Sequence, residues 1–139
     1  MRTVTEEQKA AAKERRAAMM GLAKQIAGMT QLAQRELAEK SLVVTIEGHR
    51  LSLHNQCMLA MQAPSATIVG GFQQWRRAGR MVRKGEHGAA IWVPVGTRET
   101  VENNGQEYDV LNDVTGFILG TVFDVSQTDE QGQAVNRGE

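Results

Sequence analysis

An α+β fold, with N-terminal helices packed on a small, mainly antiparallel sheet, is predicted by the order of two periodicities along the chain. In the first third, apolar residues recur at helical steps, as Leu22, Ile26, Met29, Ala33 and Leu37 do. From Ala89 onward they alternate: Ala89, Ile91, Val93 and Val95, then Phe117, Leu119, Thr121, Phe123 and Val125. That is the period of strands with one covered face. A length of 139 residues suits one domain that buries a core without staples.

Thr5 followed by Glu6, Glu7 and Gln8 has the form of a capping box, and a helical pattern runs from there to Lys40. Gly28 and Thr30 weaken its middle, so it is one bent helix or two. Before Leu22 its face is mostly alanine, which predicts loose packing of the first turns. Leu42 to Ile46 is a short β-branched run. Ser52 then stands as N-cap of a helix from Leu53 to about Gln62, which Pro64 stops from continuing. Asn55 and Gln62, seven residues apart, share a face of that helix, where amides hydrogen-bond either to a nucleic acid or to neighbouring loops. Pro94 marks the strand that starts at Ala89 as an edge or a strand end. Glu102 to Gly105 reads as a hairpin loop leading to a weaker strand, Gln106 to Val110. Thr115 to Val125 is the last strand, and residues 129–139 are expected to form an acidic, disordered tail.

The charge is zero overall but unevenly distributed. Residues 1–40 carry eight basic and five acidic side chains, 41–98 seven and two, and 99–139 one and nine. A basic middle with an acidic end suits a protein that meets a polyanion through one face. The stretch Phe72 to Gly85 concentrates this: five basic side chains, no acidic one, two aromatic rings and two glycines in fourteen residues. A helix from Phe72 places Phe72, Trp75 and Arg76 on one face, and Gly79 is positioned to end it. Arg80, Arg83 and Lys84 follow on a segment closed by Gly85. Rings for stacking and cations along a backbone are what single-stranded nucleic acid requires. Against this, a pair of aromatics at helical spacing also packs into cores, and basic runs also serve as solvated faces.

Catalytic and metal signatures do not emerge. His49, His54, His87 and the single Cys57 form neither HExxH nor a CxxC pair, and GxSxG, Walker A and GxGxxG are missing. The chain is therefore expected to be non-catalytic and to need no cofactor or metal. One cysteine and no apolar leader lead to an expectation of a cytoplasmic protein without a membrane partner.

Four blocks resemble the N-terminal domain of ArdC-type antirestriction proteins. They are Ser52–Gln56; Gln62-Ala63-Pro64 with Ala66-Thr67; Trp75 with Gly79–Glu86; and Val122–Thr128. The resemblance covers about residues 32–128 and implies a single-stranded-DNA-binding module of mobile elements such as plasmids and phages. It divides the chain into a helical extension (1–30), the domain proper (31–128) and the tail (129–139). Asn55, Gln62, Trp75, Arg80, Arg83, Lys84 and Gln127 are the DNA-facing positions it implies, with Gly79 and Gly85 as backbone features. Arg76 joins the expected DNA-binding set from the stretch itself, and Gly85 is counted in it for close approach to phosphate. Longer members add a zinc metalloprotease domain whose motif this sequence lacks, so peptidase activity is not carried over. The expected role is low-specificity single-stranded-DNA binding in antirestriction or protection of incoming DNA. The alternative is a protein-interaction or regulatory module of a plasmid or phage replication or conjugation system. A protease domain or another mobile-element protein is the expected partner in trans.

Overall fold

Thr5 caps the first helix as its sequence predicts: the Gln8 N–H donates to Thr5 Oγ1 at 3.0 Å and the Thr5 N–H to Gln8 Oε1 at 2.9 Å. The structure, a computed structural model, describes residues 4–131. Helix α1 spans Glu6–Ala27, and Gly28 ends it. Thr30 caps α2, Gln31–Glu39, through the Ala33 N–H, which decides between one bent helix and two. The first turns of α1 are exposed, whereas Ile26 near its end is fully buried.

Strand β1 (Val44–Thr45) precedes helix α3 (Leu53–Gln62), with Ser52 as its cap, and β2 (Ile68–Gly70) follows. The helical crossover makes β1 and β2 parallel. Six consecutive residues of α3, Asn55 to Ala60, are buried, so the middle of this helix is covered all round. It separates two cores. Leu59 packs with Val43, Ala66, Val69 and Val122; Met58 and Cys57 pack with Ile26 and Ala38. Cys57 donates its S–H to the Gln34 carbonyl, and burial pushes its thiol pKa up.

Helix α4 (Phe72–Arg77) leads into β3 (Arg80–Val82). Then β4 (Ala89–Asn103) and β5 (Gln106–Asp124) form a long hairpin, and the main sheet runs β1-β2-β5-β4. Among the described residues only β1 and β2 are parallel, so the expected α+β class and mainly antiparallel sheet hold. Asn104 (φ 55°) and Gly105 (φ 80°) make the hairpin turn with the left-handed angles of a two-residue loop. The segments read as two strands, 106–110 and 115–125, are one strand that ends at Asp124. Register shifts beside Gly96 accommodate the intervening residues, and a Cβ on Gly96 would lie 1.6 Å from the Asp113 carbonyl oxygen. Pro94 is tolerated because β4 is the sheet edge.

Beyond β5 the chain turns through a short 3-10 helix, Val125–Gln127, into β6, Thr128–Glu130, antiparallel to β3. This corrects the expectation of a disordered segment from residue 129. Asp129 and Glu130 pair with Met81 and Arg80 of β3, and the Gln131 N–H donates to the Gly79 carbonyl at 3.0 Å. Strand pairing, which composition does not register, orders these polar residues. The remainder of the tail, 132–139, lies outside the described residues.

Candidate nucleic-acid interface

The amides of α3 close the sheet edge. Asn55 Nδ2 donates to the Trp92 carbonyl and the Trp92 N–H donates to Asn55 Oδ1, both at 2.9 Å. Gln62 does the same one step along β4: its Nε2 donates to the Ala90 carbonyl at 2.7 Å and its Oε1 accepts from the Ala90 N–H at 2.8 Å. Each amide takes the place of a neighbouring strand's peptide group on the free edge of β4. Gln56 pairs in this way with Val43 ahead of β1. The shared face of Asn55 and Gln62 was legible, but it is turned toward β4, whose edge takes up both amides.

Trp75 is 3% exposed, and its indole N–H donates to the Phe123 carbonyl at 2.9 Å. This corrects its expected role as a stacking platform, because a ring covered on both faces has no surface to offer a base. On the same short helix Phe72 is 43% exposed, and Arg76 and Arg77 point into solvent.

Arg80 and Arg83 are held by β6 and its approach. Arg80 donates through Nε to Thr128 Oγ1 at 2.7 Å and through Nη2 to the Thr128 carbonyl at 3.1 Å, and it pairs with Glu130 at 3.7 Å. Arg83 donates to the Ser126 carbonyl at 2.7 Å and pairs with Glu86 at 3.2 Å and Asp129 at 3.3 Å. Gln127 Nε2 donates to Glu86 and to the His87 carbonyl, while its Oε1 accepts from the Asp124 N–H. These three side chains, all expected to face DNA, therefore converge, but on one another's loops. Lys84 is exposed, and neither it, Arg76 nor Arg77 makes an ion pair or side-chain hydrogen bond among the described residues. Gly79 (φ 83°) and Gly85 (φ 88°) hold the left-handed angles expected of them at the two ends of this segment.

Beside the Arg83–Gly88 turn lies an open cleft of about 470 Å³, walled by the loop after α3 and by the 3-10 helix. Gln62, Ser65, His87, Asp124, Ser126 and Gln127 are its polar lining residues. Burial pushes the Asp124 carboxyl up, but hydrogen bonds from the Ser126 hydroxyl and from the N–H groups of Thr67, Ser126 and Ile68 outweigh it and hold the pKa below its ordinary value. The carboxylate thus anchors the start of β2 to the end of β5. Sequence reasoning did not assign this cleft or Arg77. Its walls are the resembling blocks around Gln62–Ala66 and Asp124–Gln127, whose convergence was the available signal. Among the described residues no group of three or more His, Cys, Asp or Glu is placed to hold a metal ion.

A family model described as the N-terminal domain of anti-restriction factor ArdC matches residues 7–139. Two solved structures of antirestriction ArdC protein from the R388 plasmid are similar. The metal-free form is 22% identical with a TM-score of 0.49, covering 67% of this chain and 34% of that one. The Mn(II)-bound form is 21% identical with a TM-score of 0.47, covering 79% and 39%. The chain thus spans little more than a third of the length of those proteins. The comparison with curated proteins gives no match.

Proposed function

This chain belongs to the family of N-terminal domains of the anti-restriction factor ArdC, and from that premise we propose that it holds single-stranded DNA, without catalysis and with little sequence preference. The observation that carries the reading is the set of exposed cations on the α4–β3 segment. Arg76, Arg77 and Lys84 stay in water while Arg80 and Arg83 fix the backbone that presents them. Exposed cations over a hydrogen-bonded support meet phosphates irrespective of base, and each phosphate so neutralised releases counterions. In a cell such binding would cover incoming DNA of a mobile element, plasmid or phage, so that restriction is evaded. No helix of the described residues is long and apolar enough to cross a membrane, and we place the protein in the cytoplasm, where such DNA arrives.

Binding of equal-length single-stranded DNA, duplex and RNA over a salt series tests the reading. Retention of the single strand that weakens steeply with salt is expected; retention of none of the three contradicts it. A second reading, docking of a partner protein such as a protease domain in trans, is favoured by one feature. The β4–β5 hairpin leaves Tyr108, Val110, Val114, Phe117 and Ile118 exposed. Such docking would be insensitive to competing oligonucleotide.

A further inference from the structure

Rings and cations also meet at the N-terminal end of α3, whereas the cleft lies at its C-terminal end. Two adjoining depressions, of about 440 and 390 Å³, share Ala23, His54, Trp92 and Phe117 as walls and form one groove between α1 and the β4–β5 hairpin. Phe117 is 56% exposed there. Trp92 is only partly buried, and the Arg16 guanidinium lies 5.5 Å from its ring centroid. Its indole N–H is out of contact with water and has no hydrogen-bond acceptor among the described residues.

The rim of this groove is cationic. Lys9, Lys13, Arg16, Met20 and Lys24 follow one another at helical steps of three and four on α1. From Lys9 to Lys24 the helix has five basic residues and one acidic one, over roughly 22 Å at 1.5 Å per residue. The outer hairpin, residues 98–113, has the opposite balance: Glu99, Glu102, Glu107, Asp109 and Asp113 against Arg98. A polyanion is therefore drawn to α1 and repelled from the hairpin arm.

We propose that this groove is a base-stacking site for single-stranded DNA. Bases lie against Phe117 and the open part of Trp92, and the backbone runs along Lys13, Arg16 and Lys24. The inference rests on the single-stranded-DNA reading above and supplies the aromatic platform that buried Trp75 does not.

The test is anisotropy of labelled oligothymidylate over a salt series with the full chain and three variants. Phe117→Ala, at an exposed position, should weaken binding by about 5- to 150-fold with the salt slope kept, and Phe117→Trp should restore it. The triple variant Lys13→Ala, Arg16→Ala, Lys24→Ala should lower the slope by about 2. Ultraviolet cross-links to peptides containing Trp92 or Phe117 are expected as well. Unchanged affinity and slope in these variants, while the unaltered chain binds, would overturn the groove, pass it to a protein partner and leave the single-stranded-DNA reading standing. Failure of the unaltered chain to retain the oligonucleotide at low salt would overturn both.

Discussion

Helix α1 and the Phe72–Gly85 segment are the two basic regions of the molecule, and the fold treats their charges differently. Along α1, a partnered cation has a single contact: Lys9 pairs with Glu6, Arg15 donates to Thr121 Oγ1, and Arg16 lies over Trp92, while Lys13 and Lys24 make no ion pair or side-chain hydrogen bond among the described residues. In the central segment the chain returns as β6, and Thr128, Asp129 and Glu130 engage Arg80 and Arg83. The difference shows that an arginine's availability depends on what the topology brings beside it. A half-buried arginine whose N–H groups meet carbonyls and carboxylates organises a turn, whereas an exposed one remains ready for phosphate.

The sharpest way to break this comparison is to remove a member of the supporting layer. Trp75→Ala should cost about 3 to 5 kcal/mol of stability in urea melts, with the folded fraction binding DNA as before. A stable variant that binds poorly would return Trp75 to the interface. Gln62→Ala should cost about 1 to 3 kcal/mol, because the Ala90 N–H and carbonyl lose their partner on a partly covered edge. Amide exchange at Ala90 should accelerate with it.

Much of the architecture was legible because it follows from local signals. The capping box at Thr5, the Ser52 cap, the edge proline and the Asn104-Gly105 turn are each a residue type placed where backbone geometry demands it. What could not be read was long-range: β6 pairing with β3 across 48 residues, as Met81 with Asp129, and the joining of two short alternating runs into β5 through irregular register. The expected site suffered for the same reason. Asn55, Gln62 and Trp75 were chosen for their chemistry, but chemistry alone does not say whether a hydrogen-bonding group faces a ligand or a neighbouring strand. Gly79 and Gly85 were legible because they punctuate a segment whose turns need left-handed angles.

Smaller effects sharpen the comparison. Asp124 has its pKa held down in the fold, so it stabilises fully above the unfolded carboxylate value of about 3.9 and loses that contribution as pH falls through the lower folded value. Asp124→Asn should lower stability at pH 7 by about 1 kcal/mol or more, and the gap from the unaltered chain should close as the solution is acidified below about pH 4. A gap that widens in acid would mean that the carboxylate is not the stabilising form. Gly85→Val should cost about 1 kcal/mol or more through its left-handed backbone, without change in urea m-value.

The central claim, that phosphate is met by the cations the fold leaves exposed, is tested most directly by the salt slope of single-stranded-DNA binding. In the triple variant Arg76→Ala, Arg77→Ala, Lys84→Ala, the account predicts a melt close to that of the unaltered chain and a slope reduced by about 2, near 0.7 for each phosphate no longer neutralised. An unchanged slope in a folded triple variant would contradict it.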